Sequence, residues 1–229
     1  MALPAFFDLK GYGHLLIDGA LVTLSVGVAA MFVALTLGIF GALARLSKNR
    51  VLCSLGTTYA TVIRGIPELV LMLLVYYGGT VVLQWLLSLG GGDVRVDINA
   101  FMAGTLVVGF VYGAYATEIF RGGIISIDKG QWQASRALGM TNGEMMRHII
   151  LPQAIKRMVP PFVNQSIIQL KNTSLLYVVA VPDLMYTGSI VVSDTFRPLE
   201  VYTSVAAMYF AILYPLTLWA KRMEAKVEQ

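Results

Sequence analysis

Five stretches of this chain are long and apolar enough to cross a bilayer, at about residues 19–44, 66–89, 100–124, 159–181 and 201–220. A helix needs roughly 20 apolar residues to span the hydrocarbon core. The fourth stretch carries polar interruptions, and the segment before it, residues 126–158, is too polar and basic to span. Composition agrees with that reading. Charged residues make up 13% of the chain and hydrophobic residues 57%, whereas soluble domains carry roughly 25% charged residues. The expectation is an all-α integral membrane protein, with residues 1–229 forming a single transmembrane domain.

Charge orients the spans. Thirteen of the 17 Lys and Arg residues fall after the first stretch (Arg45, Lys48, Arg50, Arg64), between the third and fourth (Arg121, Lys129, Arg136, Arg147, Lys156, Arg157) and at the C-terminus (Lys221, Arg222, Lys226). The opposite side holds Lys10, Arg95 and Arg197 beside Asp93, Asp97, Asp183, Asp194 and Glu200. Basic residues concentrate on the cytoplasmic side of membrane proteins, so the N-terminus is expected outside and the C-terminus in the cytoplasm. An odd number of spans agrees. The N-terminal residues lack the basic start of a secretory signal, so the first stretch reads as a retained helix.

Several function classes fall away. The pI near 9.2 reflects cytoplasmic loops, not nucleic acid binding. The lone Cys53 excludes an intramolecular disulfide and a cysteine-based metal cluster. His14 and His148 have no metal-ligand company, so no metal site is expected. No phosphate-binding Gly-x4-Gly-Lys-Ser/Thr loop occurs, so the chain is not expected to hydrolyse ATP. No Ser-His-Asp or Cys-His arrangement suggests an enzyme. Gly27, Ala30, Ala34, Gly38 and Gly41, three and four apart in the first stretch, read as a helix packing face. Gly90, Gly91, Gly92 and Asp93 read as an outer turn.

The polar block carries the strongest local signals. Gln131–Leu138 suits a short helix with Ala134, Ala137 and Leu138 on one side. Gly139 ends it, as a residue tolerating positive φ does. Thr141 or Asn142 caps a second helix with Glu144 in its first turn, expected to stop near Pro152. Such a pair of short helices is similar to a DNA-binding helix-turn-helix, but membrane spans tether both ends. A solvated loop is the plain alternative. A docking surface for a soluble partner accounts better for a basic helical block on the cytoplasmic side.

Charges inside a membrane point to function. Glu68 follows Gly65 and Pro67, which interrupt a helix and free backbone groups to line a cavity. It is a candidate partner for a cationic solute group, or else a pair for Arg64 four positions earlier. Glu118 and Arg121 have a helical ion-pair spacing and read first as a structural or coupling pair. Lys171 lies in the fourth stretch among Asn164, Gln165, Gln169, Asn172, Thr173 and Ser174, a stripe that lines a pathway or glues a subunit interface. Tyr76, Tyr77, Trp85, Tyr112 and Tyr115 suit packing and interfacial anchoring, or stacking on a solute.

The order Gln133-Ala134-Ser135-x3-Gly139-x9-Ile149-x-Leu151-Pro152 resembles the Glu-Ala-Ala-x3-Gly-x9-Ile-x-Leu-Pro loop of permease subunits of bacterial ABC importers. The likeness extends along nearly all the chain. Arg64-Gly65-Ile66-Pro67, Tyr115 to Arg121 and Lys171-Asn172-Thr173-Ser174-Leu175 are similar to further signatures of the polar amino acid branch, which includes histidine/lysine/arginine/ornithine and opine permeases. The resemblance implies a type I importer permease fold with a cytoplasmic coupling helix, in the bacterial inner membrane. It implies two ATP-binding subunits that hold ATP and Mg and dock on the loop, no cofactor in this chain itself, a second permease chain (a homologous partner, alternatively a second copy) and a periplasmic solute-binding protein. Polar, and by Glu68 basic, amino acids or opines are the implied cargo. Gln133 stands where the family has Glu, so hydrogen bonding is kept and the basis for an ionic contact is lost. Two other classes stay open: a stand-alone secondary amino acid carrier or channel, which has no need of the polar block, and a membrane enzyme subunit.

Overall fold

The computed structural model describes residues 11–89 and 99–227, all of them helical or in short connections. The outer turn read at Gly90 to Asp93, together with Lys10, Arg95 and Asp97, lies outside the described residues. The helices are α1 (Gly13–Leu46), α2 (Arg50–Gly65), α3 (Glu68–Ser88), α4 (Ala100–Ile125), α5 (Lys129–Ala137), α6 (Asn142–Met145), α7 (Leu151–Asn172), α8 (Leu184–Thr195) and α9 (Pro198–Val227). A π-helical turn interrupts α3 at Leu74–Gly78, and another joins α6 to α7 at Met146–Ile150. Four helices, α1, α3, α4 and α9, are each long and apolar enough to cross a membrane. The fifth span is broken. The α7 helix passes into a 3₁₀ segment, Thr173–Val179, and α8 then departs at 49°.

The pairing of α1 with α4 forms the centre of the fold. Gly38 lies where an added Cβ would stand 2.5 Å from Ala116, and Gly109 opens the same space for Val33. Small residues let the two backbones approach, and dispersion then replaces lipid contacts. Val26, Ala30, Ala34, Val107, Val108, Val111 and Tyr112 are buried there. Gly27 faces Leu170 of α7 instead, and exposed Thr36 turns away from the seam.

The α2 helix was not among the sequence expectations. Its sixteen residues are too short to span, but Asn49 caps it by accepting from Val51 at 2.9 Å. Gly56, Ala60 and Ile63 form its buried stripe, and Tyr59 Oη donates to the Phe110 carbonyl of α4 at 2.6 Å. Cap and stripe both stand in the sequence, but a helix of this length carries no 20-residue apolar run.

One further expectation is corrected, and one is refined. Pro152 does not end a helix; it is the second residue of α7, which runs on to Asn172. Proline is tolerated in the first helical turn because its missing N–H has no acceptor to lose, and the preceding π turn absorbs the register. Asp183, counted among the acids of the outer side, is fully buried. It caps α8 by accepting from the Tyr186 N–H at 2.8 Å, while the Leu184 N–H donates to Thr23 of α1 at 3.0 Å.

Candidate functional site

Two regions carry polar chemistry, one in the cytoplasmic block and one at the middle of the span. In the block, the Asp128 carboxylate caps α5 by accepting from the Gly130 N–H at 2.6 Å. The far end closes on Gly139, at φ +74°. Met140 N–H reaches the Ser135 carbonyl at 3.2 Å and Gly139 N–H the Arg136 carbonyl at 3.0 Å. That pair of bonds is a Schellman closure, which requires a left-handed residue at this position. Thr141 and Glu144 then cap α6 reciprocally: Thr141 N–H donates to Glu144 at 2.9 Å, and Glu144 N–H donates to Thr141 Oγ1 at 3.3 Å. The N–H and hydroxyl of Thr141 hold the Glu144 carboxyl below the usual carboxylate range.

The block is bolted to the inner ends of the spans. Met145 and Ile150 are buried against Ala42, Ala116, Phe120, Ala154 and Met158, with Ile149 partly buried beside them. Ser135 points inward, its Oγ donating to the Gln131 carbonyl at 2.7 Å. Gln133, Ala134, Gly139, Leu151 and Pro152 are exposed. Leu138, 81% exposed, stands at the tip of α5. Together they make a small, rigid, partly apolar face presented to the cytoplasm.

At mid-span, Tyr112 stands halfway along α4 and is fully buried. Its hydroxyl donates to the Glu68 carboxylate at 3.0 Å. Asn172 Nδ2 donates to the same carboxylate oxygen and, at 2.6 Å, to the Tyr112 oxygen. Three helices thus meet at one carboxylate, which remains partly exposed. Pro67 places Glu68 at the first residue of α3, with the free N–H groups of that turn nearby. Tyr115 stacks on Tyr112, the ring centroids 5.6 Å apart. Tyr77 and Trp85 are exposed on the outer side of α3, and Tyr76 packs on the core.

The stripe on α7 divides. Gln169 is buried and donates to the Gly27 carbonyl of α1 at 3.2 Å. Thr173 is buried with its hydroxyl on the Leu170 carbonyl. Gln165 and Ser174 are half-buried, and Lys171 is exposed. Asn172 is the member that meets Glu68.

Arg64 does not pair with Glu68; its guanidinium lies 3.4 Å from Glu118 and over the ring of Tyr115. Glu118 also takes two hydrogen bonds from Arg121, at 2.9 and 3.1 Å, and a close contact from Arg45. The convergence of Arg45 on Glu118 was not anticipated, because 73 positions separate them and only the α1–α4 pairing joins them. Among the described residues no group of His, Cys, Asp and Glu is gathered to hold a metal.

Residues 34–229 match the family described as binding-protein-dependent transport system inner membrane component. The chain belongs to this family. The permease is 35% identical over 205 residues to the histidine/lysine/arginine/ornithine transport system permease protein of Salmonella typhimurium, covering 90% of this chain and 86% of that one. It is 37% identical to a probable glutamine ABC transporter permease protein of Bacillus subtilis, with 93% of each chain covered. It is 33% identical to the octopine transport system permease protein of Rhizobium meliloti, over 91% of this chain and 88% of that one. Among solved structures, an amino acid ABC transporter crystallised with histidines matches at 34% identity and TM-score 0.84, over 96% of this chain and 98% of its own. The inward-facing MetNI methionine ABC transporter shares the fold at 19% identity and TM-score 0.73, covering 99% of both chains.

The permease is therefore a multi-pass component of the bacterial inner membrane with the type I importer fold. It is a transport subunit and not an enzyme; hydrolysis belongs to the ATP-binding subunits of such a system. A solute-binding protein on the outer side is the other partner that family membership carries.

Proposed function

We propose that this permease admits polar amino acids bearing a positive group, basic amino acids or opines, through the centre formed by Glu68, Tyr112 and Asn172. The observation that carries this reading is the Glu68 carboxylate at mid-span, held by two neutral donors and, among the described residues, by no cation. A carboxylate in low dielectric without a counter-cation attracts one strongly. Its two hydrogen bonds keep it oriented for arrival of a guanidinium or ammonium. Gln165, Lys171, Thr173, Ser174 and Gln169 continue the polar stripe on α7 and its 3₁₀ extension as its near surroundings.

Energy enters at the opposite end. Two ATP-binding subunits, holding ATP and Mg, dock on the exposed face of α5 through Gln133, Ala134, Leu138 and Gly139. Leu151 and Pro152, exposed at the start of α7, extend that docking face, while Ser135 and Ile149 turn inward and anchor it to the spans. Closure of the ATP-binding subunits drags α5, and the rigid link through Met145 and Ile150 passes the movement to α1, α4 and α7. The spans then rock between inward- and outward-open states around the mid-span centre, as alternating access requires. Differential binding of ATP and solute to the two states shifts that equilibrium. The second permease chain is a homologous partner, with a second copy of this chain as the alternative, and a periplasmic binding protein delivers the solute. Glu118 and Arg121 couple the loop to α4.

Glu68→Gln keeps the shape and both hydrogen-bonded neighbours while removing the charge. Uptake of a basic amino acid by the assembled importer at subsaturating concentration falls about tenfold or more, the worth of one charge-assisted hydrogen bond. Unchanged uptake removes Glu68 from the pathway.

A further inference from the structure

Three guanidinium groups converge on the single carboxylate of Glu118, at the inner end of the span. Arginine does not deprotonate in proteins, so the cluster retains excess positive charge. The three are not equivalent. Arg121 places two hydrogen bonds on one Glu118 oxygen. Arg45 contacts the other, with its side chain only 13% exposed. Arg64 approaches that second oxygen at 3.4 Å, its side chain 42% exposed. The charge of Glu118 is taken up by Arg121 and Arg45, and the planar fork of Arg64 remains open on one side.

Arg64 and Glu68 are also linked through a pair of stacked rings. Glu68 bonds Tyr112, Tyr112 stacks on Tyr115 at 5.6 Å, and the Arg64 guanidinium lies 5.7 Å from the Tyr115 centroid. An acid without a cationic partner among the described residues and a partly exposed base thus flank one pair of stacked rings, with the base on the cytoplasmic side. The break at Ile66 and Pro67 between α2 and α3 turns them apart and keeps them from neutralising each other.

We propose that Arg64 is a specificity-determining residue that receives the carboxylate of the solute while Glu68 receives its cationic group. This rests on the reading of Glu68 given above and sharpens it: the permease selects solutes carrying both charges and rejects amines that lack a carboxylate. A guanidinium matches a carboxylate with two parallel hydrogen bonds. Tyr115 beneath the guanidinium holds it in place when the carboxylate arrives.

The test uses the purified permease assembled with its ATP-binding subunits and without the binding protein. Binding of L-arginine and of agmatine, the same molecule without its carboxylate, is measured by calorimetry. In the unaltered complex arginine binds about tenfold or more tightly than agmatine, the discrimination expected from one charged hydrogen-bonded pair. Arg64→Gln brings arginine down to the affinity of agmatine and leaves agmatine unchanged. Arg64→Lys restores part of the difference, and Glu68→Gln weakens both ligands. Equal binding of the two ligands in the unaltered complex overturns the role of Arg64 while leaving Glu68 in place. Equal loss of both ligands in Arg64→Gln, with a lowered melting temperature, also overturns it and makes Arg64 a structural partner of Glu118. Binding of both ligands that is indifferent to Glu68→Gln instead sinks the reading of Glu68 itself.

Discussion

Helices α3 and α4 both pass as membrane spans, yet 67% of the apolar stretch of α4 is buried within the chain and 11% of that of α3. The less buried helix is the more hydropathic of the two. In water that order would be reversed, because burial follows apolarity. In lipid the hydrocarbon is as apolar as any core, so packing follows shape. Small residues at Gly104, Gly109 and Gly113 of α4 let α1, α2 and the 3₁₀ segment close around it. Gly78 and Gly79 of α3 have no neighbour within 4 Å of an added Cβ. The difference separates a scaffold from an arm. Helix α4 fixes Tyr112, Tyr115 and Glu118, whereas α3 brings Glu68 to them from a broken entry and carries a π turn at Leu74–Gly78.

The comparison is broken most severely at Glu118. Glu118→Ala leaves three arginines facing one another at the inner end of the scaffold, and removing one partner of a largely buried ion pair costs about 3–5 kcal/mol. Thermal unfolding of the purified permease in mild detergent should show it as a large fall in Tm. Next comes a matched pair of glycines. Gly109→Val drives new atoms into Val33 and costs about 1–3 kcal/mol through overpacking, while Gly79→Val on α3 leaves Tm within the scatter of surface substitutions. Equal effects at the two sites would dissolve the distinction between scaffold and arm.

Smaller effects lie in the cytoplasmic block, which extends the scaffold to a partner. Proline cannot adopt the φ of +74° at Gly139, so Gly139→Pro distorts the end of α5. The chain should still reach the membrane, because its spans are untouched, but the ATP-binding subunit should no longer co-purify. Normal association would count against α5 as the docking face. The smallest effect concerns Glu144. Its carboxyl is held low by Thr141, so its contribution is present above the unfolded carboxylate pKa and is lost as pH falls through the lower folded value. The protection of the Glu144 and Met145 amides, relative to their intrinsic exchange rate at each pH, should fall across that acidic window, and Thr141→Ala should remove the dependence.

Much of this was legible in the residues. The spans, their orientation and the Gly139 turn follow from apolar length, from the placement of Lys and Arg and from capping chemistry, all of which act over a few residues. Glu68 stood out because a charge followed a helix break. Other parts were not legible. Arg64 was the natural partner for Glu68 by helical spacing, yet the Pro67 break rotates α3 and sends Arg64 to Glu118. Gln165, Gln169 and Asn172 share one helical face, and only the packing of α1 and α4 decided that Gln169 is buried on the Gly27 carbonyl, Asn172 meets Glu68 and Gln165 stays half-buried.

Local chemistry therefore determined that this chain crosses the membrane with its basic side inward and offers a capped, glycine-hinged helix to the cytoplasm. The tertiary structure alone decided which polar groups meet. The partners of Glu68 lie 44 and 104 positions away in sequence. No periodicity reaches so far; helices choose such neighbours by the close approach their small residues permit, and the polar contacts follow from that choice.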